Sequence, residues 1–270
     1  MKITDFNAPE LDVYTRLSEI QLKTFNEPGL GIFIAESPNV IDRALKAGYE
    51  PVSFLVDEKE RDNVSALINR CGNIPVYEAA DGVLSKLAGL DMTRGALCAM
   101  KRKSAVSPSD LLKDSKRIVI FEDVMNPTNI GAMFRSAAAL NIDAVLLTAG
   151  CSDPLYRRSA RVSMGTVFQI PWTCFGQDEN WPTDGMASLH SFGYKTVSMA
   201  LCDNSLPIDS PILKKEEKLA IIMGTESTGI RPETLALCDY IVKIPMSHDV
   251  DSLNVAAAGA IAFWELGKTI

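Results

Sequence analysis

The chain has 270 residues, 47% of them hydrophobic and 23% charged, with a net charge of −7. That composition excludes a disordered chain, and the length suits two domains of roughly 100–150 residues. The most apolar stretch, Val255 to Phe263, falls well short of the roughly 18 residues of a membrane span, and the first ten residues lack the basic start and apolar run of a secretory signal, so a cytoplasmic protein with no membrane partner is expected.

In chain order, the apolar periodicity predicts a strand at Gly31–Ala35, a helix at Asn39–Ala47 closed by Gly48, and a strand at Pro51–Val56. A helix over Glu58–Asn69, a strand at Pro75–Tyr77, a helix near Asp81–Ala88 and a strand at Gly95–Met100 complete a small α/β unit. The stretch Lys101 to Asp110 is polar, contains Pro108 and has no apolar period, so it reads as a boundary between residues 1–105 and 106–270. Ser109 suits the cap of a short helix at Asp110–Lys113.

The second part alternates more cleanly. Arg117–Phe121 is an unbroken apolar run, as in a strand buried on both faces, followed by a helix at Gly131–Leu140 and a strand at Ala144–Leu147. A helix at Arg157–Met164 precedes strands at Lys195–Ala200 and Leu219–Met223, and a helix at Pro232–Ala236, a strand at Tyr240–Ile244 and a helix at Asn254–Leu266 close the pattern. Such alternation predicts a parallel sheet with helices on both faces, whose ligands sit at the carboxyl ends of the strands.

Six cysteines are scattered without a C-x-x-C pair, and there are only two histidines, His190 and His248. Reduced thiols and no metal site are expected. The acidic balance argues against nucleic-acid binding when taken alone. Two basic knots, Lys101-Arg102-Lys103 and Arg157-Arg158 with Arg161, read as solvated surface unless something else calls for a phosphate partner.

Three loops at strand ends carry chemistry-bearing residues. In Glu122 to Arg135 the chain turns at Asn126-Pro127, Asn129 suits an N-cap, and Arg135 projects from an apolar stretch. A guanidinium there needs a carboxylate, phosphate or carbonyl; Glu122 and Asp123 offer a purely structural pairing. In Met223 to Ile230, Gly224 lets the backbone pass close to a ligand, and Glu226 is held near the sheet edge. In Ile244 to Ala256, Ser252 and Asn254 are cap candidates, Ile244, Met246 and Leu253 suit an apolar slot for a flat heterocycle, and His248 reads as a loop residue.

Each motif alone is weak. Their order (N-x-G-x-x-x-R, then G-x-E-x-x-G, then I-P-M followed by S-L-N-V) resembles the SpoU, or TrmH-like, branch of the SPOUT RNA methyltransferases over about Lys116 to Leu266. The stretch Arg161 to Pro171 is similar to that family's S-x-G segment. The region before Lys101 is similar, through Gly31–Glu36, Ala44-Leu45 and Thr93-Arg94-Gly95, to the substrate-binding domain many members carry. His248 stands where a glycine is usual, Ala256 where a serine is, and Asn126 where an aspartate is.

The resemblance implies an α/β protein: a C-terminal parallel-sheet SPOUT domain with a deep trefoil knot, preceded by a smaller substrate-binding domain. It implies methylation of a ribose 2'-hydroxyl of structured RNA, ribosomal rather than transfer RNA, with S-adenosylmethionine as cofactor and a homodimer as the working unit. Gly224, Ile244, Met246 and Leu253, with Ala200 and Leu201, would cradle the cofactor. Arg135 would stabilise the developing alkoxide, with Asn129, Glu226, Ser252 and Asn254 orienting it and the ribose. Lys101, Arg102, Lys103, Arg157, Arg158 and Arg161 would contact RNA. Two other readings compete: a non-catalytic RNA-binding or ribosome-assembly protein on the same scaffold, and a nucleotide-dependent oxidoreductase. The latter needs a G-x-G-x-x-G after a first strand, whereas Gly29-Leu30-Gly31 precedes one.

Overall fold

The computed structural model describes residues 1–5, 7–79, 95–175, 180–202, 204–225, 228–248 and 252–267. Its first elements are β1 (Lys2–Ile3), α1 (Asp12–Thr15), α2 (Glu19–Lys23), β2 (Ile32–Glu36), α3 (Pro38–Lys46), β3 (Pro51–Asp57), α4 (Ser65–Asn69), β4 (Val76–Ala79) and β5 (Ala96–Lys101). Next come α5 (Pro108–Asp114), β6 (Arg117–Phe121), α6 (Pro127–Ala139), β7 (Ala144–Leu147), α7 (Arg157–Val162), β8 (Trp172–Cys174) and α8 (Thr183–Ser191). The last are β9 (Lys195–Met199), β10 (Leu206–Pro207), α9 (Pro211–Lys215), β11 (Leu219–Met223), α10 (Pro232–Leu237), β12 (Tyr240–Lys243) and α11 (Val255–Leu266). None of the described helices is long and apolar enough to cross a membrane.

Two compact units result: Met1–Ser104 with Leu155–Phe168, and Ala105–Pro154 with Gln169–Ile270. The first is built on a mixed sheet of order β1-β4-β3-β5-β2, in which β5 runs antiparallel to both neighbours. One face buries Leu11, Tyr14 and Leu22 against Ile32, Ile34, Leu55, Leu97 and Ala99. Helix α7 packs within this unit, where both oxygens of the buried Glu36 carboxylate are taken: Oε2 by Arg157 Nε at 2.8 Å, Oε1 by Arg161 Nη1 at 3.1 Å.

The second unit holds a seven-stranded, all-parallel sheet of order β10-β12-β9-β11-β6-β7-β8. Side chains alternate across it. Ile118, Ile120, Ala144, Leu146, Ala220 and Ile222 face one core with Leu112, Met186, Leu189 and Tyr194. On the other side Phe121 meets Phe134 of α6 edge-to-face, centroids 5.7 Å apart. Helix α11 lies against α6, with Met133 Cγ 3.6 Å from where a Cβ on Gly259 would sit.

At the amino end of β6 the Arg117 side chain is buried, yet among the described residues it pairs with no carboxylate. Its guanidinium donates to the carbonyls of Leu266 at 3.0 Å, Glu217 at 2.7 Å, Glu216 at 2.8 Å and Lys116 at 3.3 Å. Burial draws this guanidinium below its ordinary pKa, opposed by the nearby Asp143 and Glu216.

β6, β7 and β11 have the bounds their apolar runs predict. Other expectations need correcting. The helix over Glu58–Asn69 is a single 3-10 turn at Glu58–Glu60 and a separate α4, because the charged run from Glu58 to Asp62 has no apolar face and Asp57 binds the Lys59 amide at 3.0 Å instead. Ser107, not Ser109, caps α5, accepting from the Asp110 amide at 3.2 Å with Pro108 in the first helical position. The helix expected near Asp81–Ala88, and Thr93-Arg94, lie outside the described residues.

Candidate functional site

The first motif leaves β6 and enters α6 four residues earlier than the periodicity suggests. Asn126 Oδ1 accepts the Thr128 amide at 2.8 Å and Pro127 occupies the first helical position, so Asn126, rather than Asn129, is the cap. Aspartate, the usual residue there, would serve the same role. Asn129 is thereby placed inside the first turn, 6% exposed, where its Oδ1 accepts from Asn254 Nδ2 at 3.3 Å. Asn254 in turn caps α11, its Oδ1 accepting the Ala256 amide at 3.0 Å. First and third motifs, 125 residues apart, thus meet directly.

The carboxylates that follow β6 do not pair with Arg135. Glu122, 1% exposed, accepts the Arg231 amide at 2.7 Å, the Thr234 hydroxyl and the Trp181 indole N–H. Asp123 takes the Arg231 guanidinium, with Nε at 2.9 Å, and Thr148 Oγ1 donates to its other oxygen at 2.9 Å. That ion pair holds the Arg231 guanidinium above its ordinary pKa. The structural pairing available to Arg135 is therefore already used. Arg135 itself is exposed, and among the described residues its side chain forms no hydrogen bond or ion pair.

At the carboxyl ends of β9, β11 and β12 lies a cavity of about 370 Å³. All six residues singled out for a cofactor (Ala200, Leu201, Gly224, Ile244, Met246 and Leu253) line it, and so does Ser252. Parallel pairing brings these ends together, with Ile222 beside Ser198 and Val242 beside Met199. Gly224 relieves a close approach: a Cβ there would sit 2.5 Å from the Gly229 carbonyl carbon. The turn closes on itself, the Gly229 amide donating to the Thr225 carbonyl at 3.0 Å. Glu226 lies outside the described residues. His248 has φ of +60°, a left-handed conformation that explains why a glycine suits this position.

The cavity lining is mainly apolar with a few polar groups. Met199, Ile244, Met246, Leu235 and Leu253 give apolar walls, while Thr225, Thr228 and Ser252 add hydroxyls. The threonines, Leu235 and Lys243 escaped the sequence reading; Thr225, Thr228 and Lys243 are signalled only by lying at or beyond strand ends, and Leu235, on α10, by nothing local. Arg231 escaped too, since nothing local links it to Asp123, 108 residues away.

The basic knots are largely engaged within their own unit. Lys101 pairs with Glu50 at 2.8 Å, Arg102 Nε donates to the Ile32 carbonyl at 3.2 Å, and Lys103 donates to the Ala47 carbonyl and sits over the Tyr49 ring. Arg157 and Arg161 share Glu36, and Arg158 is exposed.

Residues 116–264 match the model of the SpoU rRNA Methylase family. The chain is 32% identical over 264 residues to an uncharacterized tRNA/rRNA methyltransferase of Mycobacterium bovis, covering 97% of this chain and 90% of that protein. It is also 32% identical over 197 residues to the 23S rRNA (guanosine-2'-O-)-methyltransferase RlmB of Acinetobacter baylyi, covering 71% and 77% of the two. The fold superposes on an AdoMet-bound rRNA methyltransferase from Sinorhizobium meliloti with a TM-score of 0.81, at 21% identity, covering 98% of this chain and 97% of that one.

Proposed function

The chain belongs to the SpoU rRNA Methylase family, and from that premise we propose that this RNA methyltransferase modifies a ribose 2'-hydroxyl of ribosomal RNA, with S-adenosylmethionine as methyl donor. The observation that carries the reading is the convergence of three distant stretches: Asn129 on Asn254, and the segments from Gly224 and Ile244 on one cavity. The 2'-O-methyltransferase RlmB of Acinetobacter baylyi, and the 23S rRNA (guanosine(2553)-2'-O)-methyltransferase RlmP of Bacillus subtilis at 26% identity, support the choice of ribose and of ribosomal RNA.

When bound, S-adenosylmethionine supplies an electrophilic methyl on a sulfonium. Ile244, Met246 and Leu253 would hold its flat ring, and Ala200, Leu201 and Gly224 would offer backbone groups to the rest. Arg135 holds the target ribose and its phosphate and donates to the oxygen as negative charge develops on it. A guanidinium keeps its proton in proteins, so Arg135 is a donor and not the base, and the hydroxyl proton passes to the RNA phosphate or to water. Asn129 and Asn254, already hydrogen-bonded to each other, would orient Arg135 and the ribose, a role shared by Ser252 and, by the family likeness, by Glu226.

Arg135 is exposed and does not line the cavity of its own chain, which supports a homodimer in which it serves the partner's cavity. The outer row of α11, with Ile261 39% and Trp264 57% exposed beside Ala257, suits such an interface. The trefoil crossing belongs to the same reading, as do domains divided near residue 105 and RNA contacts from Lys101–Lys103, Arg157, Arg158 and Arg161. The test is transfer of labelled methyl to ribosomal RNA by the wild type and by Arg135→Ala, with mass-spectrometric mapping of ribose methyls lost in a strain lacking the protein. Equal rates for the two proteins would end the assignment of Arg135, and no transfer at all by the wild type would end the reading.

A further inference from the structure

The cavity walls carry one charged side chain among the described residues, Lys243. It is the last residue of β12 and half-buried, and no residue lining the cavity among the described ones carries a carboxylate. The Lys243 side chain forms no ion pair or hydrogen bond with any described residue, while its carbonyl accepts the Ile208 amide at 3.0 Å. Lys195 meets Asp239 at 2.7 Å and Arg231 meets Asp123. A lysine lining a largely apolar cavity, with no carboxylate partner among the described residues, is the arrangement expected where the acceptor is a ligand.

We infer that Lys243 recognises the α-amino-acid carboxylate of the methyl donor, fixing the end of the ligand opposite its flat ring. This rests on the cofactor reading above. A carboxylate is the one anionic group such a donor carries, and the remaining lining supplies hydroxyls and apolar surface but no second cation. The hydroxyls of Thr225, Thr228 and Ser252 suit the ribose and amine. Lys243 would therefore act as a binding residue that selects ligands with an intact amino-acid tail.

The experiment uses calorimetry on the full chain with two probes, S-adenosylhomocysteine and 5'-methylthioadenosine, which lacks the amino-acid tail. Lys243→Met keeps the length and apolar stem of the side chain and removes its charge. It is expected to weaken S-adenosylhomocysteine about tenfold, the low end for a charge-assisted hydrogen bond at a half-exposed site, while 5'-methylthioadenosine binds as before. Lys243→Arg should restore most of the preference. Equal losses for both probes would assign Lys243 to packing and overturn the inference. Unchanged binding of both, with or without a loss of RNA affinity in the same variant, would overturn it as well. If the wild type bound neither probe, the cofactor reading itself would fall, an outcome distinct from any of these.

Discussion

Gly224→Ala tests the cavity through its tightest point. An added Cβ would lie 2.5 Å from both the carbonyl carbon and oxygen of Gly229 and 2.7 Å from Ile230 Cγ1, against the 3.4 Å at which ordinary contact begins. Two of those atoms are backbone, so no rotamer relieves the clash. The turn must open by close to 1 Å, and it is closed by the Gly229 amide on the Thr225 carbonyl at 3.0 Å. Overpacking of this kind costs about 1–3 kcal/mol, slightly offset by the smaller entropy of alanine in the unfolded chain. Because Thr225, Thr228, Gly229 and Ile230 all line the cavity, the same displacement should weaken S-adenosylhomocysteine by at least about tenfold. Calorimetry and urea denaturation measure the two effects. Gly229→Ala is the control: it has φ of +68° but nothing within 4 Å of a new Cβ, so it should cost only about 1 kcal/mol and much less affinity. Wild-type affinity and stability in Gly224→Ala would refute the geometry.

The other predictions are shorter. Arg135→Ala should lower methyl transfer at least about 100-fold while leaving stability within about 0.5 kcal/mol, because the side chain is exposed; melting and single-turnover assays check both. Glu36→Gln should cost about 1–3 kcal/mol in denaturant unfolding, since two guanidinium groups lose one buried carboxylate, though their own exposure of 21% and 39% moderates the loss. His248→Gly should stabilise by up to about 1 kcal/mol by relieving the left-handed φ of +60°. For Asp239, burial alone would raise the carboxyl pKa, but hydrogen bonds from Lys195, Thr196 and His190 outweigh it and hold the group at about 2. A depressed folded value means stability present above pH ~4 and lost as the pH falls toward 2, so acid unfolding of Asp239→Asn should be flatter across that window.

Strands buried on both faces were legible because their apolar runs admit no other reading, as with Leu219–Met223. Edge elements were not: β8 has three residues and β10 two, too few for any period to register. The start of α6 was legible in principle, since asparagine before proline is a cap signature, but the same dipeptide also signals a turn. Within the site, motif order pointed to the residues that share the cavity. Contacts made by folding across a hundred residues, such as Asp123 with Arg231 or Asn129 with Asn254, leave no local trace.

The knot of carbonyls around Arg117 has a consequence at the opposite end of the sheet. Helix α11 begins with Asn254 beside Asn129 and finishes at Leu266, whose carbonyl the guanidinium holds. Anchored at both tips, twelve residues span about 18 Å as a strut. Amide exchange along it should be governed by a single cooperative opening instead of progressive fraying. Loosening Arg117 would then raise exchange along the whole helix together, reaching the end beside Asn129, far from the substitution.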